Sequence, residues 1–200
     1  MDAALQEQHD RIVQMVRRFV DEQVIPVAQK LEHDDIFPEE IVEQMKQMGI
    51  FACTIPVEYG GLGLPYITYV AVVEELARGW MSVGGVINTH MIGAHMISTF
   101  GTPEQKQRFL PRMATGEIRA ALTITEPNAG SDVQAIRTRA VKDGDSYVLT
   151  GNKMFVTNGR RADIYSALVK TDPDAKPAYR GMSLFIIEKD KTPGDRRAHV

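Results

Sequence analysis

From residue 5 to residue 31 the apolar residues Leu5, Ile12, Val16, Phe19 and Val20 recur at helical spacing, with charged residues such as Asp10, Arg17 and Arg18 between them. An apolar stripe of that period belongs to a helix burying one face. The spacing predicts such a helix here, re-set near Pro26. Pro38 stands just before the run EEIVEQMKQM and Gly49 just after it. Proline suits a helix start and glycine the position past its end, so a second helix is expected between them. The segment IPVEYGGLGLP, residues 55–65, is dense in glycine and proline and reads as a loop. Two apolar helices are predicted beyond it, near 66–78 and 82–100; the second is nearly free of charge and belongs in a core. Thr102, Pro103 and Gln105 combine an N-cap, a proline in the first turn and the glutamine of a capping box, which starts a helix running through about Met113.

After Gly116 the period changes from helical to extended. Residues 120–125, 146–150, 153–157, 164–170 and 182–188 all read as strands. The turns DGDS at 143–146 and TGN at 150–152 are short enough for hairpins, so the sheet is expected to be largely antiparallel. Helices followed by strands, rather than alternating with them, point to an α+β fold. The expected organisation is an all-helical domain over residues 1–117 and a β domain over 118–200. No repeat or low-complexity stretch interrupts it, and the final run KDKTPGDRRAHV carries no sign of a closing core element.

Composition narrows the function classes. With 200 residues, 44% hydrophobic and 24% charged, the chain is large enough to bury a core. Its net charge is −3 and no run of Lys and Arg forms a basic stripe, which argues against a nucleic-acid partner. The start, MDAALQEQHD, is polar and acidic where a signal peptide is basic and then apolar, and no apolar run reaches the roughly 18 residues of a membrane span. A cytoplasmic protein without a membrane span is expected. Cys53 is the single cysteine, which excludes an internal disulfide and a cysteine-based zinc site. His90 and His95 are five residues apart, about 140° around a helix, and do not converge on a metal. Both are expected in the core or lining a pocket, and no metal site is expected.

Two segments carry candidate chemistry. In LTITEPNAGSDVQAIRTRA, residues 122–140, a strand runs into a loop. Thr125 places a hydroxyl at the strand end, Pro127 stiffens the exit, Gly130 allows a close backbone approach and Ser131 adds a donor. Such short donors suit an oxyanion, particularly a phosphate, and the same residues also make ordinary turns. In NKMFVTNGRRADI, residues 152–164, Phe155, Val156 and Thr157 end a predicted strand before Asn158-Gly159. An aromatic face beside a hydroxyl can cover one side of a flat cofactor and bond its edge; a half-buried strand before a hairpin turn has the same look. Glu126 is placed as a structural residue beside Pro127, and Cys53 as a packed thiol.

Together the segments resemble the acyl-CoA dehydrogenase family. Thr125, Glu126, Pro127, Ala129, Gly130, Ser131 and Asp132 match its signature TEPxAGSD, and Lys153 through Gly159 match the paired K-M-aromatic-[VI]-T-N-G at the family's spacing. The resemblance extends over about residues 5–190, including IPVEYGGLG and the GTPEQKQRFLP helix start. It implies FAD as cofactor, held by Leu122, Thr123, Ile124, Thr125, Gly130 and Ser131 and by Phe155, Val156 and Thr157. Thr125 then serves the pyrimidine side of the flavin, Ser131 the pyrophosphate or the substrate, and Thr157 the N5 edge. The implied reaction takes a proton from the carbon next to an acyl-CoA thioester and passes a hydride from the neighbouring carbon to flavin N5. Donors at the flavin edge would stabilise the charge that develops there.

The resemblance further implies that Asn88 to Gly93 border the acyl chain, where a packed helix with small residues Gly84, Gly85 and Gly93 fits equally well, that an electron-transfer flavoprotein or similar acceptor takes the electrons, and that the full-length protein is a homo-oligomer. Phe155 stands where many relatives carry Trp, keeping the aromatic face and losing the indole N–H. The family's carboxylate base comes from a C-terminal helical domain, so the base is expected beyond Val200 and no catalytic residue within the chain. Where relatives follow Thr-Pro-Gly with an apolar residue and more strand, this chain has DRRAHV. Rival readings are a non-catalytic remnant that folds partly or binds a partner chain, and an acyl-CoA oxidase or flavin monooxygenase of the same fold.

Overall fold

Pro26 has no N–H to give to the carbonyl four residues back, and its ring crowds that turn. In the computed structural model, which describes residues 3–189 and 198–199, the first helix widens just ahead of it. Helix α1, Ala3–Phe19, passes through a π-helical turn, Val20–Val24, into α2, Ile25–His33. The wider turn absorbs the missing bond without ending the helix. Helix α3, Glu39–Gln47, is followed by Gly49 at φ 75°, a left-handed angle that disfavours any side chain. Helices α4, Tyr66–Gly79, and α5, Met81–Phe100, are joined through Trp80, and α6, Pro103–Ala114, starts on the expected capping box. The Gln105 N–H donates to Thr102 Oγ1 at 3.3 Å and the Thr102 N–H to Gln105 Oε1 at 2.9 Å.

The described residues divide into two compact units, Met1–Glu117 and Ile118–Val200. In the helical unit α1 packs on α4, α4 on α5 and α5 on α6. Val16, Val20 and Val24 are fully buried, as are Val72 and Leu76 of α4, Val83 and Ile87 of α5, and Leu110 and Met113 of α6. Each such aliphatic side chain contributes roughly 1.5–3 kcal/mol. One charge sits inside this packing. Glu75, 5% exposed, accepts from Arg17 Nε at 2.9 Å and from Arg78 Nε at 2.8 Å, and Arg78 reaches on to Asp21 at 2.8 Å. The network ties α1 and the π-turn to α4.

The β unit contains β1 Ala120–Thr123, β2 Arg139–Asp143, β3 Ser146–Thr150, β4 Ile164–Lys170, β5 Met182–Lys189 and β6 Ala198–His199. The order is β3-β2-β4-β5-β6, with β1 also paired to β4. The pairs β2–β3, β4–β5 and β5–β6 are antiparallel, whereas β1–β4 and β2–β4 are parallel. The sheet is therefore mixed, and the largely antiparallel expectation needs that correction. Ala140, Ala167 and Val169 form its core, covered by Tyr147, Leu149, Phe185 and Ile187.

Two local expectations fail for physical reasons. The DGDS hairpin forms, with Asp143 opposite Ser146 and Gly144 at φ 57°, as a type II′ turn requires. The TGN segment makes no hairpin, because among the described residues β3 pairs only with β2. At Gly151 the chain passes so close to Thr138 that a Cβ would lie 2.2 Å from its hydroxyl. Residues 153–157 are not a strand either. Phe155 and Asn158 take φ of 56° and 65°, which breaks the pleat, and tertiary bonds override the β propensity of the run.

Candidate functional site

At the end of β1 the chain leaves the sheet. β1 covers β4 from Ile164 to Ala167, β5 occupies the opposite edge, and β2 rejoins β4 only at Lys170. Residues 124–138 must therefore form a loop outside the ladder. Residues 153–158 return along the end of β1 in the opposite direction. Asn158 Nδ2 donates to the Ala120 carbonyl at 3.3 Å, the Met154 N–H to the Thr125 carbonyl at 2.9 Å, and Lys153 Nζ to the Ile124 carbonyl at 2.9 Å. The Tyr165 hydroxyl donates to the Gly159 carbonyl at 2.6 Å and holds the far end. This order brings Phe155, Val156 and Thr157 beside the stretch from Leu122 to Thr125, so the fold joins segments some 30 residues apart.

Beneath the loop lies a buried carboxylate. Glu126, 4% exposed, accepts from the Arg137 N–H at 2.6 Å, the Thr138 N–H at 3.0 Å and Lys153 Nζ at 2.9 Å. Its backbone pairs with Ala129 in both directions. Burial alone pushes the carboxyl up, but the Lys153 ammonium and the two N–H groups outweigh it and hold the group at about 2. The buried Thr138 hydroxyl has no partner in hydrogen-bond geometry, so the lowering rests on the three formed bonds. A carboxylate so stabilised is a poor proton acceptor near neutral pH, where a general base needs a pKa close to the working pH.

The remaining signature residues surround this anchor. Thr123 is buried and directs its hydroxyl to the Ser166 carbonyl at 3.5 Å, leaving only its backbone for a ligand. Leu122, Ile124, Thr125 and Val156 are half-buried, and Gly130, Ser131 and Thr157 are exposed. Among the described residues, the side-chain hydroxyls of Thr125, Ser131 and Thr157 make no hydrogen bond within the protein. The Phe155 ring is 83% exposed. A Cβ at Gly130 would meet nothing within 4 Å, so neither packing nor a left-handed backbone demands glycine there. Gly130 and Ser131 lie further along the loop, and no hydrogen bond ties them to residues 155–157.

The helical unit has a cleft of about 330 Å³, lined by Tyr66 and Tyr69 of α4 and Asn88, Met91, Ile92 and Met96 of α5 among others. The Tyr69 hydroxyl donates to Asn88 Oδ1 at 3.1 Å, and Tyr66 and His95 share a 2.7 Å hydrogen bond. His90 is fully buried, bonded to the Met113 carbonyl at 3.1 Å and packed edge-on against Phe51. Cys53 is 2% exposed, and burial pushes its thiol up to about 12, far from a reactive thiolate. The role of Lys153 escaped the sequence reading: its partner Glu126 is 27 residues away, and no local pattern links them.

A family model described as the acyl-CoA dehydrogenase N-terminal domain matches residues 6–117, and one described as the acyl-CoA dehydrogenase middle domain matches residues 121–198. The chain is 44% identical over 188 residues to (2S)-methylsuccinyl-CoA dehydrogenase of Cereibacter sphaeroides, an alignment over 94% of this chain and 34% of that protein. It superposes on acyl-CoA dehydrogenase from Geobacillus kaustophilus with a TM-score of 0.84 and 39% identity, over 94% of this chain and 49% of that one. It also superposes on acyl-CoA dehydrogenase complexed with FAD from Bacillus anthracis, with a TM-score of 0.81, 31% identity and coverage of 92% and 32%. The chain thus spans half or less of the length of these relatives.

Proposed function

The chain belongs to the acyl-CoA dehydrogenase family, and from that premise we propose that its β unit forms part of an FAD site and its helical unit part of the site for an acyl-CoA thioester. The observation that carries this reading is the meeting of residues 122–125 with residues 155–157, where an exposed aromatic ring lies near hydroxyls without protein partners. The residues fit a flavin. Thr125 and Thr157 offer donors for its edge, Phe155 offers a face, and the open side of Gly130 beside Ser131 suits the approach of a phosphate. FAD would supply the hydride acceptor for α,β-dehydrogenation.

This chain's own residues bind and orient in that reading. Thr125 donates to the pyrimidine side, Thr157 to the N5 edge, and Ser131 to the pyrophosphate or the substrate. The cleft beside Asn88 and Met91 has the size of a small-ligand pocket and takes the acyl chain. The α-proton is not removed by Glu126, whose carboxylate is already satisfied. The base lies in the part of the family's length that this chain does not span. An electron-transfer flavoprotein as acceptor and a homo-oligomeric full-length protein complete the proposal. The test is gel filtration of the chain after incubation with FAD. Flavin absorbance travelling with folded protein is expected, and a folded preparation that stays colourless would remove the reading.

A further inference from the structure

We propose that the Lys153–Glu126 pair is a positioning device that fixes the spacing and register of the two segments carrying Thr125 and Thr157; it rests on the flavin reading above. Residues 153–158 have no strand ladder to align them, since Phe155 and Asn158 break the pleat with left-handed φ angles. Their alignment comes instead from individual bonds. At the Asn158 end a side-chain amide reaches the Ala120 carbonyl. At the other end the Met154 N–H reaches the Thr125 carbonyl, and Lys153 reaches two acceptors, the Ile124 carbonyl and Glu126 Oε1, each at 2.9 Å.

One carboxylate therefore joins three stretches of chain: the exit of β1 that carries it, the approach to β2 through Arg137 and Thr138, and residue 153 through the ammonium. The Lys153 and Glu126 side chains are 13% and 3% exposed. For stability alone, a buried ion pair is often matched or bettered by apolar residues of the same volume. What apolar residues cannot reproduce is the directional set of bonds, in which moving Lys153 displaces Ile124 and Glu126 together. Thr125 lies between those two acceptors. Its backbone is thus held from both sides, which sets where its hydroxyl starts from, and Thr157, four residues from Lys153, inherits the same reference.

The test uses the 200-residue chain as wild type, Lys153→Met, Lys153→Arg and Glu126→Gln, followed by amide hydrogen exchange and FAD titration. Lys153→Met is expected to speed exchange at Met154 while β4 and β5 keep their protection, and to weaken FAD binding about tenfold, on the scale of one hydrogen bond. Lys153→Arg restores most of both. In the FAD-loaded chain the two charge removals shift the reduction potential in opposite directions: up for Glu126→Gln, which leaves a positive charge uncompensated, and down for Lys153→Met. Unchanged Met154 exchange and FAD affinity in folded Lys153→Met overturns the proposal, as does exchange that quickens equally across β4 and β5, or a potential that shifts the same way in both variants. Should Lys153→Met not fold, Glu126→Gln supports the same exchange comparison. A wild-type chain that takes up no FAD sinks the flavin reading instead, and the exchange pattern then decides the role of the pair.

Discussion

Glu126 is nearly sealed from water and still ionised, because three donors replace the hydration it lost. Its folded-state value of about 2 lies below the ordinary 4.5, so its contribution to stability is complete above about pH 4.5 and disappears as the pH falls through 2. The difference corresponds to roughly 3 kcal/mol. Urea unfolding of the wild type and Glu126→Gln at pH 7 and at pH 3 checks this. The two should differ most at pH 7 and converge in acid, and a gap that stays constant or widens in acid would contradict the assignment. Thr157 offers a second test. Thr157→Val keeps the shape and removes an exposed hydroxyl with no protein partner, so the fold should be unaffected. FAD affinity should fall, or the flavin potential shift, by about 0.5–1.5 kcal/mol. Equilibrium titration and potentiometry measure this, and no change in either removes Thr157 from the site.

Among the elements, the junction between α1 and α2 has the least tolerance. The π-turn faces the end of α4, where a Cβ added at Gly79 would lie 2.5 Å from Val20 Cγ1 and 3.3 Å from Val24 Cγ1. Alanine is the better helix former, but Gly79 is the last residue of α4, where that preference counts for little. Overpacking wins, at about 1–3 kcal/mol. Gly79→Ala should lower the melting temperature by several degrees, at roughly 4 °C per kcal/mol for a unit of this size. A raised melting temperature would mean that the valines yield freely. Residues 153–158 lie at the other extreme. They are held by a few individual bonds, from the Lys153 and Asn158 side chains and the Met154 N–H, instead of a ladder, which leaves the backbone free to take the left-handed angles at Phe155 and Asn158.

For the whole molecule, the decisive quantity is how much of the reaction the chain contains. It spans 34% of the Cereibacter sphaeroides relative and 49% of the Geobacillus kaustophilus one, and Glu126 is committed as an acceptor. The proposal therefore predicts that FAD-loaded chain, mixed anaerobically with short to long acyl-CoAs, does not bleach its flavin at an enzyme-like rate. A positioned general base contributes about 10²–10⁴-fold, and more is lost without a held substrate. Rapid bleaching with any acyl-CoA would place a base within these 200 residues. Val57, Met81 and Phe100, each at least 70% exposed, also present large apolar side chains to solvent.

Helix boundaries were legible because their signals are local. Pro26, the Thr102–Gln105 box and Gly49 act on bonds within one turn of themselves, so a short window of sequence contains their whole effect. The same holds for the Gly144 hairpin. The signature residues of the two loops were legible too, as types and spacing. What the linear pattern could not carry was any property set by a neighbour distant in the chain. The run from Lys153 to Thr157 has the aromatic and β-branched content of a strand, yet residues 153–158 bond to Ala120, Ile124, Thr125 and Glu126, and Phe155 takes a left-handed angle that its β propensity does not anticipate. Parallel pairing of β1 and β2 with β4 was hidden for the same reason, since strand direction depends on long connections. Sequence alone determined the elements and their punctuation. Only the tertiary structure decided that a buried Glu–Lys bond sits beneath the candidate site, because burial and a 27-residue separation are properties of the folded chain.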